Sequence, residues 1–100
     1  MNMAEERILR YAAPPLYKRM VEVFSTYHIH PYDFFAKLRK NNTEFTVIVR
    51  FSPDFSQVVS KGFTSEQVMH PDEEVTGFFE EAAKQCKSVL VADYYKIKKG

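Results

Sequence analysis

Two of the three histidines stand one residue apart, in the segment YHIHPYDFF that runs from Tyr27 to Phe35. On an extended backbone, side chains at positions i and i+2 point to the same side, so His28 and His30 could chelate a metal ion together. Such a site needs a third and usually a fourth ligand. The candidates by residue type are Asp33, His70 and Cys86, none of which stands at a recognised ligand spacing. We therefore predict that no metal is bound and that the two histidines flank the beginning of a strand.

Nucleophilic catalysis has equally little support in the sequence. The chain lacks a GxSxG motif and a glycine-rich phosphate loop, and its three glycines, Gly62, Gly77 and Gly100, lie far apart. Cys86 falls on the apolar stripe of a predicted helix, where a thiol behaves as a small buried hydrophobe and not as an activated nucleophile. We predict a protein that is not an enzyme and that binds no cofactor.

The composition predicts a single folded domain in a reducing compartment. The 100 residues are 45% hydrophobic and 15% aromatic, which is enough for one core and too apolar for a disordered chain. The formal net charge is +1, so no overall field directs the protein to nucleic acid or to an anionic membrane. We predict a cytoplasmic protein without membrane contact, for three reasons. The chain has a single cysteine, its amino terminus does not resemble a signal peptide, and no apolar run approaches the ~20 residues that span a membrane.

Helical periodicity predicts two helices in the amino-terminal part of the chain. The first covers Ala4 to Ala12 and is ended by Pro14 and Pro15. The second begins at these prolines, because proline suits the first turn of a helix. Its apolar residues form one stripe, which consists of Leu16, Met20, Val23, Phe24 and Tyr27.

The next two segments alternate between apolar and polar residues, as strands with one buried face do. The apolar residues are Tyr32, Phe34, Ala36 and Leu38 in the first segment, and Phe45, Val47, Val49 and Phe51 in the second. Asn41 and Asn42 suit a two-residue type I′ turn, because asparagine tolerates positive φ angles. That turn predicts the inward pairs Leu38–Phe45, Ala36–Val47, Phe34–Val49 and Tyr32–Phe51. It also predicts the outward pairs Arg39–Glu44, Lys37–Thr46, Phe35–Ile48 and Asp33–Arg50, of which two join opposite charges.

From residue 70 onward the pattern becomes helical. One apolar stripe links Val75 to Ile97, the first turn is acidic and the last is rich in lysine, as the helix dipole favours. Asp93 interrupts the stripe, and residues 88–98 also fit a strand, so the helix either continues or ends near Ala92. Together these elements predict an α+β fold in the single domain 1–100: two N-terminal helices, a three-stranded antiparallel β-meander, and a long C-terminal helix packed on one sheet face.

The outward side of the predicted sheet carries the candidate functional residues. Phe35 and Ile48 oppose each other there, and the third strand, in FSQVVSKGF, adds Val58 or Val59 according to a register that is open by one residue. An apolar row with a polar rim is typical of an interface, and three cations surround this one. The candidate interface comprises Phe35, Ile48, Val58, Lys37, Arg39 and Arg50.

Three ways of covering this apolar row stay open. The N-terminal helix could fold over it through Ile8, Leu9 and Tyr11. A second copy of the chain could cover it, since symmetric dimers are the commonest oligomers. Single-stranded nucleic acid could stack on Phe35 among the cations. We expect a small non-enzymatic interaction or regulatory protein, as a homodimer or bound to another protein, and as the alternative a nucleic-acid-binding accessory protein.

Overall fold

A computed structural model of the protein describes the backbone of residues 5–41, 44–51 and 57–99, and the side chains of residues 6–31, 33–41, 44–51 and 57–91. Its elements, in chain order, are strand β1 (Glu5–Ile8), helices α1 (Leu9–Ala12) and α2 (Pro14–Thr26), a 3-10 turn (Pro31–Asp33), strands β2 (Phe34–Asn41), β3 (Glu44–Phe51) and β4 (Gln57–Phe63), and helices α3 (Ser65–Met69) and α4 (Glu73–Lys99). The strands form one antiparallel sheet in the order β1-β2-β3-β4. The predicted α+β class is confirmed, with a fourth strand added to the predicted three.

One face of the sheet, called the inner face from here on, packs against the helices. Residues from β2, β3, α2 and α4 form one buried cluster, which includes Phe34, Ala36, Leu38, Val47, Val49, Phe51, Leu16, Met20, Val23, Phe24, Val75, Phe79, Ala82, Ala83 and Cys86. The rings of Phe24 and Phe34 lie 4.4 Å apart between centroids and join α2 to the sheet. Arg19 donates a hydrogen bond to Thr76 Oγ1 at 2.6 Å and joins α2 to α4. The predicted packing of the C-terminal helix on one sheet face is confirmed.

The helix predicted over residues 4–12 is wrong in its first half. Glu5–Ile8 pairs with β2 as a strand, and only Leu9–Ala12 is helical. A segment of four residues holds barely one helical turn, so its pattern alone does not separate the two structures. The strand is favoured over the helix because β1 then provides hydrogen-bond partners for the backbone groups at the edge of β2. An ion pair between Glu6 and Arg39, which oppose each other, supports that pairing.

The β2–β3 hairpin has a register that differs from the predicted one by two residues. The observed inward pairs are Phe34–Phe51, Ala36–Val49 and Leu38–Val47. Asn41 is the last residue of β2 and lies opposite Glu44, so the predicted Asn41-Asn42 turn is wrong, and the connection itself lies outside the described residues. Tyr32 belongs to the 3-10 turn and not to the strand. All the predicted cross-strand pairs are replaced, yet each described strand residue keeps its predicted face, because the shift is an even number.

Two caps begin the helices that follow β4, and the first of these helices, α3, was missing from the prediction. Thr64 and Gln67 form a capping box, in which the Thr64 hydroxyl accepts from the Gln67 N–H at 3.2 Å and Gln67 Oε1 accepts from the Thr64 N–H at 3.0 Å. Asp72 Oδ1 accepts from the N–H of Val75 at 3.1 Å and caps α4. Because α4 is helical as far as Lys99, the strand alternative for residues 88–98 is wrong. The side chain of Asp93 lies outside the described side chains.

Candidate functional site

The histidines of YHIHPYDFF follow the end of α2, and the backbone at the first of them is not extended. Tyr27 is the C-cap of α2, and His28 follows it with a φ of 60°, in the left-handed region. The N–H of His28 donates to the carbonyl of Ser25, and the N–H of Ile29 donates to the carbonyl of Phe24, both at 3.0 Å. These two bonds define the Schellman motif, whose left-handed position usually holds glycine. The position of His28 is thus explained by helix termination, and the strand begins only at Phe34.

The other candidate ligands also take part in local structure. The backbone N–H of His30 donates to Asp33 Oδ2 at 3.2 Å, and His70 is the C-cap of α3. Cys86 is fully buried in the core, and this burial, followed by the negative charge of Asp33, raises the pKa of its thiol to about 11. Among the residues whose side chains are described, no group of three His, Cys, Asp or Glu is placed to hold a metal ion.

The face of the sheet opposite the helices, called the outer face from here on, carries every residue of the candidate interface. Opposed residues share a face, so the observed pairing arranges the outward side chains in rows across the sheet. From β1 towards β4, the rows are Glu6–Arg39–Thr46–Gly62, Ile8–Lys37–Ile48–Ser60, and Phe35–Arg50–Val58. Val58 is the outward valine, because it opposes Arg50, whereas Val59 opposes the buried Val49.

Apolar residues and cations alternate within these rows. Ile48 lies opposite Lys37, and Arg50 stands between Phe35 and Val58. The predicted row in which Phe35 opposes Ile48 is therefore wrong, and these two residues are only diagonal neighbours. The outer face is consequently a mixed surface, in which each exposed apolar side chain has a cation beside it.

The described helices do not cover the outer face. Ile8, Phe35 and Val58 have 42%, 38% and 45% of their surface exposed. Ile48, at the centre of the rows and opposite Lys37, is 6% exposed but does not belong to the core cluster. The alternative in which the N-terminal helix covers this surface through Ile8, Leu9 and Tyr11 does not hold for the described residues. Ile8 ends a strand of the sheet itself, and Leu9 is buried in the core beneath the inner face.

Glu6 partly neutralises the cations of the outer face. Arg39 Nε donates to Glu6 Oε2 at 3.0 Å, Arg39 Nη2 contacts the same oxygen, and Lys37 Nζ lies 3.8 Å from Glu6 Oε1. The hydrogen bond from Arg39, supported by the charges of Arg39, Lys37 and Arg50, holds the pKa of Glu6 below its usual value. The Lys37 ammonium also lies over the Phe35 ring, 5.6 Å from its centroid.

An open groove of about 260 Å³ lies next to Phe35, where β2 runs beyond the end of β1. Its lining is mostly aromatic and aliphatic, and comprises Ile8, Arg10, Tyr11, Tyr17, Pro31, Phe34, Phe35 and Ala36. Tyr11 is 74% exposed, and the Arg10 guanidinium lies 5.7 Å from the centroid of its ring. The groove therefore extends the outer face with a second exposed aromatic ring and a further cation.

The sequence prediction named six residues of the outer face as the candidate interface and did not include Glu6 and Ile8, which add a carboxylate and an exposed apolar side chain to it. Both were assigned to a helix, in which they would not have shared a face with Phe35. No local signal identified the strand, because Glu6 and Arg7 are both charged and the segment shows no alternation of apolar and polar residues.

Comparisons of this chain with protein-family models, with curated proteins and with solved structures found no significant match. Within the described residues, none of the helices combines the length and the apolar composition that a membrane-spanning helix requires.

Proposed function

We propose that this chain is a non-enzymatic interaction protein that binds another protein through the outer face of its sheet. The observation that supports this proposal is the set of exposed apolar residues, Ile8, Phe35 and Val58, arranged around Ile48 on a face that the described helices leave open. Buried interface centres are apolar, and aromatic residues and arginine are enriched in them. Phe35 and Arg50, which oppose each other on β2 and β3, match that composition.

The charges of the outer face favour a partner with carboxylates over a second copy of the same face. A face-to-face dimer would bring Lys37, Arg39 and Arg50 of both copies into one interface. Glu6 offsets part of this charge, but burying a cation that has no carboxylate opposite it costs several kcal/mol. A partner with apolar side chains over Phe35 and Val58, and with carboxylates opposite Arg50, avoids that repulsion. The homodimer predicted from the sequence through this face therefore becomes the less favoured arrangement.

Single-stranded nucleic acid is the second candidate. It is favoured by Phe35 and Tyr11, two exposed rings that line one groove beside Arg10 and could stack with bases. Two carboxylates on the same face argue against it. Glu6 forms ion pairs with Lys37 and Arg39, and Glu44 lies at the end of the face. Since phosphate binding depends on uncompensated positive charge, we place this function second.

A peptide library displayed on phage tests the proposal even though the partner is unidentified. The library is selected on the wild-type protein, without counter-selection on any variant of the outer face. We expect the enriched peptides to combine Asp or Glu with apolar residues. Their affinity should fall at least tenfold for Arg50→Glu and for Phe35→Ala, because both substitutions remove central interface residues.

Two matched variants control for general effects of charge and of lost side chains. Lys18→Glu reverses an exposed charge on α2, and Met69→Ala removes an exposed apolar side chain on α3, both outside the outer face. Equal losses of affinity in these controls would contradict a site on the outer face. Binding of an oligothymidylate that weakens steeply with salt and requires Phe35 would replace the proposal with the second candidate.

A further inference from the structure

Strand β4 forms one edge of the sheet and differs from the opposite edge in how it is protected. Among the described strands it pairs with β3 alone, so alternate N–H and C=O groups along Gln57–Phe63 point away from the described sheet. Natural edge strands avoid pairing with other chains by being very short, charged or broken by proline. β1 fits that description, because it has four residues, EERI, of which three are charged.

β4 has few of these protections. It has seven residues, QVVSKGF, contains no proline, and carries one charged residue, Lys61. Lys61 points to the inner face, where its Nζ forms a salt bridge with Glu74 Oε2 at 3.3 Å. The charge is thus directed towards α4, and the outward residues of the edge are Val58, Ser60 and Gly62.

We propose that β4 pairs with β4 of a second copy, in antiparallel orientation, to form one continuous eight-stranded sheet. A two-fold axis at Ser60 lets all seven residues pair, with Ser60 opposite Ser60 of the second copy and Val58 opposite Gly62. On the inner face, Lys61 then lies opposite Val59, so no like charges oppose each other. The proposal does not rest on the proposed partner of the outer face, although it places two outer faces side by side.

The same pairing is unfavourable at the other edge, which is why we assign it to β4. A two-fold axis at Glu6 would place two glutamates opposite each other, and an axis at Arg7 would do the same with two arginines. An axis at Lys61 within β4 is excluded for the same reason. Within β4, the Ser60 axis opposes no like charges and is the axis that pairs all seven residues, so it gives the longest ladder.

The mass in solution is the first measurement. Light scattering, from micromolar to submillimolar protein, should give twice the chain mass of 11.7 kDa. Ser60→Lys places two ammonium groups opposite each other across the axis, and we expect it to yield a monomer that melts cooperatively. Gln57→Lys, which adds the same charge at the end of the strand, should remain a dimer.

Disulfide trapping gives an independent measurement that does not require a folded Ser60→Lys variant. Opposed residues of an antiparallel pair have Cα atoms about 4.5–5.5 Å apart, within the range that a disulfide bridges. Ser60→Cys should therefore form a covalent dimer when treated with oxidised glutathione. Val58→Cys should not, because the two copies of residue 58 would be about 13 Å apart along the strand. The native Cys86 is buried and provides no competing thiol.

The results separate the alternatives. A dimer that is lost in Ser60→Lys, or trapped by Ser60→Cys and not by Val58→Cys, supports the edge pairing. A monomeric wild-type protein overturns it. The proposal is also overturned if Ser60→Cys and Val58→Cys are crosslinked equally well, or if folded Ser60→Lys protein remains a dimer. In either case another surface holds the two copies together.

Discussion

Replacing His28 with glycine provides a quantitative test of the structure that follows α2. His28 is the described non-glycine residue with a positive φ, 60°, and its N–H group takes part in the Schellman motif. For a residue with a Cβ, the left-handed conformation costs roughly 1–2 kcal/mol. Histidine tolerates it better than most residues, so the cost at this position is near the lower end of that range.

Glycine removes this cost but increases the freedom of the unfolded chain. The second effect is worth about 0.4–1 kcal/mol in the opposite direction. The expected balance for His28→Gly is therefore a gain of about 0.5 kcal/mol in the free energy of unfolding. For a domain of this size, that gain raises Tm by roughly 2–4 °C.

His30→Gly is the matched control, because His30 has no positive φ and differs from His28 by only two positions. Here glycine relieves no left-handed strain and still increases the freedom of the unfolded chain, so we expect a loss of at least about 0.4–1 kcal/mol. Urea unfolding followed by circular dichroism measures both changes. If His28→Gly loses as much stability as His30→Gly, the left-handed conformation of His28 and the helix termination built on it are refuted.

Three further predictions concern helix α4 and the residue that caps it. Gly77→Ala should raise the free energy of unfolding by about 0.5–1 kcal/mol, because a Cβ at this helical position meets no neighbouring atom within 4 Å; thermal melting measures the gain. Cys86 should react with a thiol reagent at pH 8 far more slowly in the native protein than in urea, since its pKa is raised to about 11; equal rates would contradict its burial. The pKa of Asp72 is lowered, chiefly by the hydrogen bond from the N–H of Val75, so its contribution to stability is present above the ordinary aspartate value of 3.8 and is lost as the pH falls through the lower folded value. Asp72→Asn should flatten that acid dependence in pH-dependent unfolding curves, and an unchanged curve would exclude the cap as its source.

The sequence predicted the faces of the strands more reliably than the contacts between them. In β2, Phe34, Ala36 and Leu38 are buried as their alternation indicated, since successive side chains of a strand point to opposite sides wherever the strand is placed. The stripe of α2 was predicted for the same reason, because its period follows from the geometry of one helix. The capping box at Thr64 and Gln67 was also readable from residue types, and its omission led to the missing helix α3.

The pairing register required information that local patterns do not contain. A slip of two residues leaves every side chain on its face, so the alternation of β2 and β3 is equally compatible with the predicted and the observed registers. Two asparagines at the presumed turn favoured the wrong one. The assignment of Glu5–Ile8 to a strand also depended on a partner about thirty residues away, namely the edge of β2.

The faces of the strand residues were thus determined by the sequence itself: an apolar inner face, and an opposite face that carries Phe35, Ile48, Lys37 and Arg50. Only the tertiary structure decided that Lys37 opposes Ile48, that Arg50 separates Phe35 from Val58, and that Glu6 joins the cations. The physical reason is that side-chain direction follows from the backbone of a single strand, whereas neighbours across a sheet follow from hydrogen bonds between segments distant in the chain.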